Sequence, residues 1–394
     1  MSASQNIDNA ELFTSCAENS TNIILNTVPV VAPVLATIPD SATDATATSD
    51  EVITSAYIDL DHITVDSSIQ NEKNSRIQTC LDNLPDSGQD RVVRWQHAGL
   101  DGTEPFDFIG VLDGHGKVHA HEKNRAVREE RAPKKHFIEC FDDISLETKD
   151  KIYRAENPML ELISYFSTVA HNLYDHGTGA VVSFARIYSD RVETFNVGDA
   201  RSLVFIDGKL VYINESHTAA NMREQERLTR EFDLNSLTSA RVCIVPASTI
   251  ELMSPTDIRS IKSTYTVFKH EDANGNYTET RLAPSQSLGH NNVTGYEIST
   301  SVIPYTPEQT VHVVTTTDGV MDMVCMPDGW TPDTLPTDLQ FLATTDAQNI
   351  AKWARHRWSQ EWTVHADGYT TGKQTFPKTR YGQDDIGIAT WTKV

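Results

Sequence analysis

The chain has 394 residues, of which 39% are hydrophobic and 22% charged, the proportions of a globular protein with a sizeable core. Its formal net charge of −22 argues against nucleic acid as a main partner, because a phosphate backbone calls for a basic surface. Five scattered cysteines (Cys16, Cys80, Cys140, Cys243 and Cys325) include no CxxC pair and fit reduced thiols in a cytoplasmic setting better than a disulfide framework.

Residues 1–51 are rich in Thr and Ala, acidic, and read as an extension that is poorly ordered or loosely docked. The apolar run at 22–38 lacks the basic flank of a leader, since no Lys or Arg precedes Lys73, and Pro29 and Pro33 interrupt it. No membrane span is expected from it. Residues 52–394 read as one domain, without repeats.

Within that domain DFIGVL reads as a strand ending at Asp113, and AVVSFARIY as one running to a Ser189-Asp190 turn. VETFNVGDARSLVFI and DGKLVYI meet across Asp207-Gly208, and VFKHEDANGNYTETRLA forms a hairpin turned at Asn274-Gly275. VHVVTTT and IGIATWT are late strands. A helix starts at Asn157-Pro158, with Leu160, Ile163, Phe166, Ala170 and Leu173 on its apolar stripe. A second helix spans about 219–232. A third, TDAQNIAKWARHRW, buries Ile350, Ala354 and either Trp353 or Trp358. Hairpins interspersed with helices favour an α+β layered fold. No glycine-rich nucleotide loop is present.

Four aspartates recur at strand ends or turns: Asp90 in SGQDRVV, Asp113 in DFIGVLDGHG, Asp318 in VHVVTTTDGVMD and Asp384 in QDDIGIAT. Remote carboxylates delivered in this way can assemble an oxygen-rich site for Mg²⁺ or Mn²⁺. His115, two residues after Asp113, is a candidate proton donor, and the Gly114 carbonyl a further oxygen ligand. Each piece also has a plain structural reading. Asp113-Gly114 is a common turn, Asp318 suits a helix cap, and Asp384-Asp385 suits a solvated loop. Asp90 is the weakest alone. His119 and His121 would point to different faces of a helix and make a poor metal pair. DANGN lacks the glycine and terminal carboxylate of a calcium loop.

The order of the pieces is more specific than any one of them. VLDGHG, GTGAVV, NVGDARSLVF, HTAANMREQERL, LAPSQSLGH, TTTDGVMD and QDDIGIAT follow one another in a sequence that resembles the metal-dependent Ser/Thr protein phosphatases of the protein phosphatase 2C type, over about residues 85–392. The resemblance implies a four-layer α-β-β-α sandwich, two antiparallel sheets flanked by helices, with a centre of two Mg²⁺ or Mn²⁺ ions at one end. Carried over by position, Asp90, Asp113, Asp318, Asp384 and the Gly114 carbonyl would hold the metals, and Asp175 a weaker third. His115 would be the general acid, and Asp199 and Arg201 a structural turn. Phosphorylated proteins would be the substrates of a monomeric enzyme, with no nucleic acid or membrane partner.

The chain departs from the family pattern at four places. Pro85 and its neighbours stand where a phosphate-holding Arg is usual, Gln89-Asp90 replaces Glu-Asp, Lys117 replaces a glycine, and Leu288-Gly289-His290 replaces Leu-Gly-Asp. Lys123, Arg125 or Arg128 could supply the missing positive charge, or else belong to a solvated helix face. Two other readings stay open: a pseudophosphatase serving as a binding module, and a hydrolase of small phosphorylated metabolites.

Overall fold

The structure, a computed structural model, describes residues 69–70 and 75–393 except 86, 100–101, 119–132, 233–241, 254–257, 272–276, 327–330, 332–333, 367–368 and 380–381. The N-terminal extension, His119, His121, Lys123, Arg125, Arg128 and the Asn274-Gly275 turn lie outside the described residues.

The strands form three sheets in which every pairing is antiparallel. The first runs β1 (Ile69–Gln70), β2 (Ser75–Asp82), β17 (Ile386–Lys393), β14 (Val311–Thr316), β7 (Arg201–Ile206) and β8 (Lys209–Ile213). The second runs β13 (Ser299–Pro304), β6 (Arg191–Val197), β5 (Thr178–Ile187), β4 (Phe106–Gly116) and β3 (Asp90–His97), with β12 (Leu288–Gly289) also paired to β5. The third, not foreseen from sequence, joins β9 (Val242–Met253), β10 (Ile258–Glu271), β11 (Tyr277–Leu282), β15 (Glu361–Ala366) and β16 (Tyr369–Thr375). The 267–283 hairpin belongs to this third sheet rather than to the first two. The expected α+β class with antiparallel sheets is observed.

One apolar core lies between the first two sheets, where Ile109, Ala185 and Val192 of one meet Val204, Val313 and Trp391 of the other. A second packs β4 and β5 against α1 (Phe137–Asp142), α2 (Leu146–Arg154) and α3 (Pro158–Thr168). A third packs β14 and β17 against α5 (Asp318–Met321), α6 (Thr337–Leu342) and α7 (Ala347–Trp358). One further helix, α4 (Met222–Phe232), is polar on most faces. It is docked by Glu224, which accepts from Ser285 Oγ at 2.5 Å and Gln286 Nε2 at 2.6 Å.

Asn157 caps α3 by accepting from Met159 and Leu160 N–H, with Pro158 in the first turn as its sequence indicates. Its buried face is Met159, Leu162, Ile163 and Phe166. Ile163, Phe166 and Ala170 are buried as expected, whereas Leu160 is half exposed and Leu173 lies in the turn beyond the helix end. In α7, Trp358 rather than Trp353 is the core anchor, and its indole donates to the Gly319 carbonyl at 2.8 Å.

Strand β4 does not end at Asp113 as expected. It continues to Gly116 because Asp113–Gly116 still pair with Val181–Thr178 of β5. Its side chains alternate between layers, Phe108 and Leu112 facing the helices and Ile109 the other sheet. Asp113 and His115 thereby fall on the inter-sheet side.

His217 offers a test of the fold away from these aspartates. Its Nδ1 accepts Gly198 N–H at 3.0 Å while Nε2 pairs with Ser299 Oγ at 2.9 Å, an arrangement for the neutral ring. Burial pushes its pKa from 6.5 down to about 4. The unfolded chain takes up this proton below pH 6.5, and the folded chain refuses it until about pH 4. The contribution is therefore complete above pH 6.5 and is lost as pH falls toward 4. Denaturant titrations should show the wild type losing about 3 kcal/mol more than His217→Gln between those limits. Equal losses would contradict the assignment.

Candidate metal and proton-transfer site

Four of the sequence-nominated aspartates converge where the first two sheets meet at one end. Asp90 opens β3 directly opposite Asp113 of β4, so the two side chains share a face. Asp318 follows β14 as the first residue of α5, and Asp384 precedes β17 by two positions. Adjacent strands β14 and β17 bring the last two together, and Gly319 makes the approach possible. A Cβ on Gly319 would lie 1.9 Å from the Asp385 carbonyl oxygen.

Threonine 317 stitches the sheets. Its hydroxyl donates to Asp90 Oδ2 at 2.7 Å and accepts Gly387 N–H at 3.0 Å, while its own N–H donates to the Gly387 carbonyl. Asp385 is occupied differently from its neighbour. It accepts the N–H groups of Leu84 at 2.6 Å and Gln89 at 2.8 Å, so it secures the loop entering β3. Arg355 of α7 reaches Asp82 Oδ2 and the Asp384 carbonyl, fixing the backbone on the other side. Gly114 lies against Ile138 and Gln89 with no room for a side chain, and its N–H donates to the Gln89 carbonyl.

The electrostatics are those of an uncompensated acidic cluster. Asp90 and Asp318 are buried, whereas Asp113 and Asp384 keep part of their surface open. All four titrate well above the usual carboxylate range, first from burial and then from the surrounding acids, Asp199, Asp322 and Asp385 among them. Arg91 pulls Asp90 the other way, but more weakly than burial and the neighbouring acids push it up. The Asp113 and Asp318 carboxyls lie close enough to interact directly, which adds to the upward push on Asp113. Among the described residues no three His, Cys, Asp or Glu side chains already stand close enough to hold one ion. Asp90 instead accepts from Thr317, and Asp384 Oδ1 accepts the Asp385 N–H at 2.9 Å. Hard oxygen donors, packed together with repulsion between them, are chemically suited to a divalent cation.

Two participants escaped the sequence reading. Asp199, read as a structural turn, interacts with Asp322 and Asp384. Burial raises it to about 7, and its Oδ2 is buried without a hydrogen-bond partner. Asp322 raises both Asp318 and Asp384. Its signal was the i, i+4 spacing in DGVMD, which puts it on the same helical face as Asp318. Asp175 lies in the loop before β5, where its carboxylate accepts Gly177 N–H at 2.8 Å.

His115 lies one residue beyond Gly114 at the end of β4. Its Nε2 is sealed from solvent without a partner, while Nδ1 pairs with His290 Nε2 at 2.8 Å. Burial, helped by His136, holds its pKa at about 3, so the ring is neutral near pH 7.

A model of the family described as protein phosphatase 2C matches residues 73–325, more than half of the chain. The chain belongs to the protein phosphatase 2C family. The matched segment contains Asp90, Asp113, His115, Asp175 and Asp318, whereas Asp384 lies beyond it and is joined to it by the pairing of β17 with β14. No curated protein sequence matches the chain. Among solved structures, a serine-threonine phosphatase 2C from Toxoplasma gondii is 12% identical with a TM-score of 0.45, covering 84% of this chain and 98% of that one. A Caenorhabditis elegans sex-determining protein is 13% identical with a TM-score of 0.44, covering 83% of this chain and 66% of that one. The Mycobacterium tuberculosis serine/threonine phosphatase PstP/Ppp is 11% identical with a TM-score of 0.38, covering 80% and 97%. Among the described residues no helix is long and apolar enough to cross a membrane.

Proposed function

We propose that this protein phosphatase 2C family member hydrolyses phosphoserine and phosphothreonine in proteins with the help of two Mg²⁺ or Mn²⁺ ions. The observation that carries this reading is the meeting of four carboxyls from remote strand ends at one place, raised by burial and then by neighbouring acids. Asp90, Asp113, Asp318, Asp384 and the Gly114 carbonyl are the proposed ligands, with Asp175 assigned to a weaker third ion. Such ions, when bound, supply Lewis acidity toward phosphoryl oxygens and lower the pKa of an attacking water.

The chain's own residues do the rest. Thr317 fixes one oxygen of Asp90, and the Asp385 carboxylate keeps the loop ahead of β3 closed against the site. As a water oxygen bonds to phosphorus, the ester P–O bond breaks and its electron pair goes to the seryl or threonyl oxygen. The attacking water gives up a proton to solvent, and His115, in its imidazolium form, delivers its Nε2 proton to the leaving oxygen and returns to the neutral ring. Burial, with His136 beside it, keeps His115 neutral in the free protein, and the negative charge of a phosphate ester next to the ring works in the opposite direction, toward the imidazolium that acts as the acid.

Hydrolysis of an aryl phosphate by the full chain should require Mn²⁺ or Mg²⁺ and disappear with excess chelator. Turnover indifferent to the chelator would overturn the metal-assisted reading. No turnover with any divalent ion would favour a binding module of the same fold.

A further inference from the structure

The element that touches His115 comes from far along the chain. The rings of His115 and His290 are nearly parallel, 10° apart in plane with centroids at 4.8 Å, and share the Nδ1···Nε2 contact of 2.8 Å. His290 is 2% exposed.

Considerable local structure is committed to this contact. Across the β4–β5 ladder His115 faces Gly179, and on the other side of β5 Gly179 pairs with Gly289. A Cβ on Gly179 would come within 2.5 Å of His290 Cδ2 and 2.3 Å of the Leu288 carbonyl oxygen, so the imidazole uses the space that glycine leaves. Immediately after Gly289 (φ 85°), three successive residues have left-handed backbone: His290 (φ 46°), Asn291 (φ 54°) and Asn292 (φ 58°). L-residues disfavour that region, and a run of them persists only where the surroundings impose it. This turn delivers the His290 ring onto His115.

We infer that His290 is a positioning residue for proton delivery, engaging Nδ1 of His115 so that Nε2 is the atom that gives up the proton. The inference rests on the phosphatase reading and deepens it. An imidazole with one nitrogen engaged has its ring orientation fixed, and the remaining nitrogen is then the one that exchanges a proton with substrate. The family's usual aspartate at this position would offer only an acceptor when ionised. Histidine can donate to or accept from Nδ1, following the protonation of its partner.

The test compares the wild type with His290→Phe, which keeps an aromatic ring but has no N–H or lone pair, and His290→Gln, which keeps a polar amide. In ¹⁵N-labelled, cation-free full-length protein, the wild type should show coupling between His115 Nδ1 and His290 Nε2 across their hydrogen bond. In His290→Phe the His115 Nδ1 resonance should shift. With Mn²⁺, His290→Phe should lower kcat/KM for phenyl phosphate at least tenfold more than for 4-nitrophenyl phosphate, whose leaving group needs little protonation. His290→Gln should recover part of that difference.

Equal slowing of both esters, or a His115 resonance indifferent to His290→Phe, would overturn the inference. A wild type inactive with every divalent ion would instead sink the phosphatase reading. The ring spectra would then still decide whether His290 engages His115, and a missing contact would overturn that as well.

Discussion

Asp113→Asn is expected to reduce metal-dependent turnover by on the order of 10³-fold while making the cation-free protein more stable. The first effect follows if the residue shares a cation, because charge stabilisation by a metal is worth several kcal/mol and each tenfold in rate corresponds to about 1.4 kcal/mol. The second follows from the raised pKa. Asp113 lies opposite Asp90, interacts directly with Asp318 and is pushed up by burial first and by Asp318, Asp90 and Asp384 next. Its folded form binds the proton more tightly than its unfolded form, so its contribution to stability declines as pH rises above the ordinary carboxylate range. Asparagine keeps the shape and removes that penalty. Thermal melting without divalent ions should therefore favour the variant, more so at pH 8 than at pH 5. Added Mn²⁺ should stabilise the wild type and leave the variant nearly unchanged. A variant with wild-type turnover, or one less stable than wild type at pH 8 without cations, would refute the assignment of Asp113.

For His115→Ala the expected loss is about 10²-fold on phosphoserine peptides, at the low end of what general acid catalysis contributes, and under about tenfold on 4-nitrophenyl phosphate. The distinction comes from the leaving oxygen. A seryl alkoxide is strongly basic and has to be protonated as the P–O bond breaks, whereas nitrophenolate departs without help. His115 Nε2 has no hydrogen-bond partner, so no contact within the chain competes with such a transfer. Equal slowing of both substrates would remove the proton-donor role and leave the ring a packing role only.

The strands that deliver the acids were legible because FIGVL, VHVVTTT and IGIATW are apolar runs, the signature of strands covered on both faces. Their convergence was not legible from any one of them. Asp90 resembled many other loop carboxylates until the β3–β4 register placed it against Asp113. The extent of β4 was misjudged because Asp113-Gly114 carries a turn signal, while β5 holds the segment in the ladder through Gly116. Leu160 fits a helical period yet falls on the exposed side of α3, and Leu173 lies beyond the helix, which ends sooner, at Thr168. The third sheet was hidden because its five strands come from two segments, 242–282 and 361–375, whose pairing is set only by tertiary contacts. His290 was noticed solely as a departure from a familiar aspartate. Its partner lies 175 residues away, a separation no local pattern reports.

The ladder pairing of Asp90 with Asp113 bears on how the molecule is made as well as on what it does. Two like charges facing each other across neighbouring strands oppose the very register that the surrounding apolar residues demand. A newly synthesised chain can close that register cheaply only by capturing protons or multivalent ions as it folds. Proton or cation capture at this pair therefore lowers the cost of closing the edge strand against its neighbour.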